Sequence, residues 1–413
     1  MKHKGKIRLR AALLCGILCT AWFVQAACSR QAGRAVFLFP KFAMENYSEE
    51  NRIIPDPSME VEGAGNRTVA DYSIEDRTVP RYTSTNFRYP DRFEQTLTRY
   101  SDFQRLYCPE QSPAVPGLAY TRFTDSSSVQ MVPQGICLAG EYMLITAYDK
   151  ARRSNSVIYV MSGETDGNQR LLTVLELPER NHAGGIAFDG KHIWIARSTS
   201  GYVSAISYGT LKKAASCGQQ SFRLEAYDLN IYVGVTASFV TYYKGYLWVG
   251  TYRTYFDGPG SFAAYRISDI TAEEGLGPEE SFDPKESFDS EKNRVSQPLS
   301  PKVILEIPSY VQGAQFLERG KCVYLILAAS SGRYADSVIY VYQQDKQGQD
   351  MSLKLRNKYC FPPMAETLCS DGQTTYFLFE SAATCYSTRQ YQKCAYPVDR
   401  ICGVRNQKLL EGE

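Results

Sequence analysis

Five stretches of this chain repeat one template: a glycine-led or small-residue entry, a short apolar run, a polar turn, then a second apolar run rich in Tyr or Trp. The copies begin Gln134-Gly135-Ile136, Gly184-Gly185-Ile186, Ala237-Ser238-Phe239, Gln312-Gly313-Ala314 and Ala365-Glu366-Thr367-Leu368. They lead into Met143–Tyr148, Ile193–Ala196, Leu247–Gly250, Val323–Ile326 and Tyr376–Phe379. Entries recur about every 50 residues, apart from one gap of about 75 that holds an insertion. Each unit is too short to bury its own apolar faces, so the units must pack side by side. Short strands at this period predict an all-β fold: a single β-propeller of five four-stranded blades around a central channel.

The blades are expected to occupy residues 117–405, followed by a tail at 406–413. Outer strands are expected at Leu171–Leu177, Phe222–Tyr227, Lys302–Ile307 and Leu353–Leu355. The last blade is short of one, and Gly117–Phe123 is expected to supply it. That pairing would close the ring and remove an exposed sheet edge. Upstream, Pro90-Asp91 opens a helical pattern with Phe93, Leu97, Tyr100 and Leu106 on one face, within a helix and connector at 89–116. Residues 271–301 form an acidic insertion with Glu280-Ser281-Phe282-Asp283 echoed by Glu286-Ser287-Phe288-Asp289. This spacing lacks the alternating oxygen ligands and glycine of a calcium loop, and reads as a solvated segment.

The N-terminus points to export. Lys2, Lys4, Lys6, Arg8 and Arg10 precede an uncharged, mostly apolar run from Ala11 to Ala27 that ends in small residues. Residues 1–27 are therefore expected to be a signal peptide, and 28–88, polar and without a period, an extended tether. Cys28 follows Ala26-Ala27 as in a lipoprotein box, although Gln25 stands where an aliphatic residue is usual. Lipidation of Cys28 is the weaker alternative to free secretion. Twelve cysteines are present, irregularly spaced and without a Cys-x-x-Cys pair, which argues against a zinc or iron–sulfur site. Cys385, Cys394 and Cys402 are the expected place for a disulfide.

A formal charge of +2 and the absence of a basic stripe exclude nucleic acid as a partner. Strands alternate direction within a blade, so the entries of the first strands and the exits of the second share one face. Gln134, His182, Gln312 and Glu366 stand at or just before those entries and are expected to ring the channel mouth as ligand-binding residues. His182 and Glu366 are the candidates for acid–base work, since burial tunes both types toward neutral pH. Arg152, Arg197, Arg253 and Arg333, on the loops that follow second strands, suit an anionic ligand. Equally, these side chains could satisfy blade junctions or pair with Asp149, Asp257, Asp336 and Glu380.

Pro133-Gln134-Gly135-Ile136, Ser156–Val160 and His182–Ala187 resemble a group of secreted bacterial propeller proteins of undefined function. More distantly they are similar to the superfamily of calcium-dependent lactonases and streptogramin lyases. The resemblance implies a channel site, with a metal held by several carboxylate and Asn ligands in the lactonases. It implies a His and a Glu about a metal in the lyases, for which this chain offers His182 and Glu366. The entries here carry Gln, His, Gln and one Glu, an incomplete cage for a hard cation. The expectation is thus an exported, monomeric propeller that binds a small, anionic ligand or a cell-envelope protein, with no cofactor and a divalent metal left open. A hydrolase or lyase acting on a small lactone or anionic substrate is the alternative.

Overall fold

The apolar runs are continuous rather than alternating because both faces of each blade are buried. In the first blade Met143, Ile145, Val157, Tyr159 and Met161 join the apolar cluster shared with the fifth blade. Leu144, Ile158 and Val160, one residue out of phase, join the cluster shared with the second. Side chains alternate across a strand, so one run serves two interfaces. Five such clusters fill the five gaps between neighbouring blades.

The computed structural model describes residues 44–45, 82–164, 167–198, 200–274, 298–347, 350–387 and 393–412. The expected signal peptide, Cys28, nearly all of the tether and most of the insertion lie outside these. The first four blades are antiparallel sheets, from Met131–Ala139 through Leu171–Glu176, Gly185–Phe188 through Leu229–Tyr232, Phe239–Tyr243 through Val303–Ile307, and Val311–Arg319 through Asp350–Phe361. The fifth has Ala365–Ser370, Thr374–Phe379 and Cys402–Arg405, with an antiparallel bridge from Tyr107 to Val404 on its outer side. The ring is a five-bladed propeller.

Two outer edges differ from expectation. Gly117–Phe123 does not pair with the last blade: Thr121–Arg122 folds back on Ser127–Ser128 instead. Tyr107 takes that edge, with Cys108 N–H on the Gly403 carbonyl and Ala114 bridged to Arg400. In the second blade the outer strand is Leu229–Tyr232, while Ser221–Arg223 crosses to the first blade and runs parallel to Val174–Glu176. A helix at Tyr208–Ser216, N-capped by Ser207, occupies the intervening chain.

The helical pattern forms as two helices, Pro90–Arg99 and Ser101–Leu106, broken at Tyr100. Phe93, Phe103 and Leu106 are buried against the fourth and fifth blades. Asp399 accepts the Tyr89 N–H at 2.6 Å, and the Arg400 guanidinium stacks on Phe93 at 3.5 Å. The segment 82–116 is thus a strap over the fourth and fifth blades, with Tyr89 and Val115 reaching the cluster between the fifth blade and the first. The nine described cysteines are thiols, so the expected pairing within Cys385, Cys394 and Cys402 is absent. Cys402 lies in the closing strand, with its Sγ on the Arg400 carbonyl, and Cys394 meets the Arg333 carbonyl.

Candidate functional site at the channel mouth

Inner strands must approach closely where radial sheets converge, and the entry residues are what allow it. A Cβ on Gly135 would lie 3.0 Å from the Gly185 backbone, and one on Gly185 only 2.7 Å from Val240 N. At Gly313 the obstacle is the Thr367 backbone, 2.6 Å away. Hydroxyls then stitch the seams. Thr146 accepts the Gly135 N–H and donates to the Ala183 carbonyl, joining the first two blades. Thr367 accepts the Ile136 N–H at 2.8 Å and donates to the Gln134 carbonyl at 3.0 Å, joining the last blade to the first.

That last stitch places Gln134 beside the exit of the fifth blade's second strand. Its Nε2 donates to Glu380 Oε2 at 3.0 Å and to the Pro133 carbonyl at 2.8 Å. Glu366, 4% exposed, is the neighbour of Glu380. Burial pushes the Glu366 carboxyl well above the usual range, and the charge of Glu380 adds to the effect. Burial also raises Glu380, to about 7, against the opposing pull of Lys150 and of hydrogen bonds from Gln134 and Tyr386. Two carboxyls so placed do not both ionise readily at neutral pH, so the pair holds a proton that can be given or replaced.

Lys150 completes the group from above. Its ammonium lies 3.2 Å from both the Tyr148 and Tyr386 hydroxyls and over the two rings. Burial raises both phenols, and the two glutamates raise them further, so these tyrosines stay protonated. Tyr252, across the mouth, is pushed up to about 12, by burial first and then by Tyr310 and the glutamates.

Backbone strain helps aim one of these groups. Met364 and Tyr310 hold equivalent places two residues before Glu366 and Gln312, and both adopt positive φ, 67° and 65°. In that conformation the Met364 carbonyl receives the Glu380 N–H at 3.1 Å, and the Tyr310 carbonyl the Ser330 N–H at 2.9 Å. Non-glycine residues hold such geometry only where the surroundings enforce it.

The other named residues are spread around this centre. His182 packs against Tyr148 with ring centroids 4.3 Å apart and the ring planes tilted by 43°. It lines a small cavity of about 100 Å³ with Asp149, Arg152, Ser154, Arg180 and Asn181. Burial, with Lys150 and Arg152 nearby, lowers it to about 4, which keeps the imidazole neutral. Gln312 is half-buried at the entry of the fourth blade. Arg197 is spent on Glu179, 2.5 Å away, and on the rings of Tyr202 and Tyr227. Arg152 and Arg253 are exposed, and Arg333 lies against Tyr334 at 4.9 Å.

Among the residues named beforehand, Gln134 and Glu366 thus gather about Glu380, whereas His182 sits one blade gap away. Glu380, Lys150, Tyr148 and Tyr386 were missed as central groups. Their signal was available in part: Glu380 follows the second strand at the register place of Tyr148, Ser198, Tyr252 and Ser330. Among the described residues no cluster of three or more His, Cys, Asp or Glu side chains could hold a metal ion.

No protein-family model matches the chain, and no curated protein does. Solved structures similar to it include the glutaminyl cyclase of Myxococcus xanthus, at 9% identity and a TM-score of 0.36, covering 71% of this chain and 95% of that one. The tail fiber of Staphylococcus aureus phage P68 is 13% identical with a TM-score of 0.36, covering 67% of this chain and 52% of that one. The RRP9 WD40 repeats are 8% identical with a TM-score of 0.33, covering 66% and 79%.

Proposed function

We propose that this protein is an exported β-propeller that binds a small ligand at the channel mouth. The ligand joins a hydrogen-bond-donating or cationic group to an anionic one. The observation that carries this reading is the carboxyl pair of Glu366 and Glu380, flanked by the Gln134 amide and capped by Lys150. A donor or ammonium takes the place of the proton held by the pair, while Lys150 and Arg152 receive the anionic end. Arg197 is committed to Glu179 and contributes no free charge. Export rests on the basic and apolar pattern of residues 1–27.

Calorimetric titration with ω-amino acids, matched against simple amines and simple carboxylates, tests the reading. The amino acids should bind about tenfold or more tightly than either single-charge series, since each lost charge-assisted contact is worth about 1.5–3 kcal/mol. Glu366→Gln with Glu380→Gln should abolish that binding with the fold intact. Failure of all three series to bind, or unchanged binding by the double variant, would overturn it.

The raised carboxyls also favour one second reading, a hydrolase or lyase on a small lactone or anionic substrate, related to the lactonase and streptogramin lyase superfamily. In that case Glu380, near pH 7, is the proton-transfer group and Glu366 its neutral partner. Glu380→Gln would then remove turnover of a lactone panel while leaving binding in place; a variant that loses both equally supports the binding protein.

A further inference from the structure

We propose that the cleft between the strap and the outer strand of the first blade is a second ligand site that takes an anionic amphiphile, a carboxylate carried on an apolar body. The cleft encloses about 470 Å³, within the range of small-molecule sites. Its walls are Val115, Leu118, Leu171, Val174 and the ring of Tyr159. Among the described residues that line it the charged ones, Arg88, Arg122 and Arg170, are all arginines, and none is a carboxylate. The Arg88 guanidinium is bound to the Leu118 carbonyl and the Thr384 hydroxyl, so it holds the strap. Arg122 and Arg170 are exposed and form no ion pair among the described residues, which leaves both for an incoming anion. A planar guanidinium pairs with a carboxylate through two parallel N–H bonds.

One further observation marks the cleft as open to an occupant. The Ser221–Arg223 strand covers the outer edge of this blade only from Val174 to Glu176, so among the described residues the edge at Leu171–Thr173 borders the cleft without a strand beside it. An oxygen-bearing ligand supplies a partner to that edge.

Titration of the full chain with decanoate, decan-1-ol and decylamine decides the matter. Decanoate should bind with a dissociation constant below about 1 mM. The alcohol should bind about tenfold more weakly, and the amine not measurably. The exposed pair Arg122→Gln and Arg170→Gln should weaken decanoate about tenfold or more while the melting temperature stays unchanged. Glu380→Gln in the channel mouth should not weaken it at all. Equal binding of decanoate and decylamine, no decanoate binding, or an unaltered double arginine variant would each overturn the proposal. Parallel loss in the Glu380→Gln variant would show that decanoate occupies the mouth instead.

Discussion

The inner ends of the blades and their outer edges are built by opposite means. Inner ends repeat one device: a glycine or small residue that lets neighbouring strands touch, and a hydroxyl that stitches the seam. Outer edges are improvised from whatever chain is at hand, Tyr107 for the fifth blade, Leu229–Tyr232 for the second and Ser221–Arg223 beyond the first. Close approach at the axis leaves few solutions, whereas the periphery has room for many.

The sharpest test of that contrast is truncation. Residues 82–413 should melt cooperatively, because the strap is retained; residues 117–413 should not, because Phe93 and Phe103 leave the fourth and fifth blades and Tyr107 leaves the outer edge of the fifth. Thermal melts that match for the two fragments would mean the outer edge of the fifth blade is dispensable. Next in size is Gly185→Ala. Its Cβ would meet backbone atoms of Val240 and Phe239, which cannot step aside, at a cost of about 2–3 kcal/mol in urea denaturation. Gly190→Ala is the control, strained by its φ of 98° but with nothing within 4 Å, at about 1 kcal/mol. Equal costs would remove close approach as the reason for the entry glycines. Thr367→Val strands the Ile136 N–H at the closing seam and should cost about 1–3 kcal/mol by the same measurement.

The smallest effect is a dependence on pH. Glu380 is raised from 4.5 to about 7, so the folded state holds its proton more tightly than the unfolded one. Its contribution to stability is full below about 4.5 and is lost as pH rises through 7. His182 is lowered from 6.5 to about 4, and its contribution runs the other way, full above 6.5 and lost as pH falls through 4. Between about 4.5 and 6.5 the two slopes offset each other. His182 is common to both proteins, so melting temperatures should separate Glu380→Gln from the parent progressively between about pH 4.5 and 7 and level off above, with the variant gaining in relative stability. Melting curves that stay parallel up to pH 8 would show the carboxyl to be ionised already.

The contrast between inner and outer structure also explains what could be read in advance. Entries such as Gly135, Gly185 and Gly313 carry a signature because few residue types fit there, and the count of five blades follows from them. The edge taken by Tyr107 has no such signature: any extended segment of suitable length serves, and Gly117–Phe123 looked as suitable as Tyr107. The mouth was half legible for a related reason. Gln134 and Glu366 could be placed by register with the entries, whereas the centrality of Glu380 depends on Lys150, Tyr148 and Tyr386 arriving from two blades at once. His182 was placed in the right gap but tied to Tyr148 rather than to Glu366, because alignment by sequence gives order along the strand and not distance across the ring.

The strap has a temporal consequence. It is made before any blade, yet Tyr89 must find Asp399, 310 positions later, before the strap can dock. Contacts of such separation are slow to form and are rewarded only when the intervening chain is already ordered. A segment synthesised ahead of every blade is therefore among the last to settle, and until then Phe93 and Phe103 lack the surface that covers them. A chain of this design reaches its final state only when its C-terminal strands are present, and interrupted synthesis leaves an open ring rather than a smaller one.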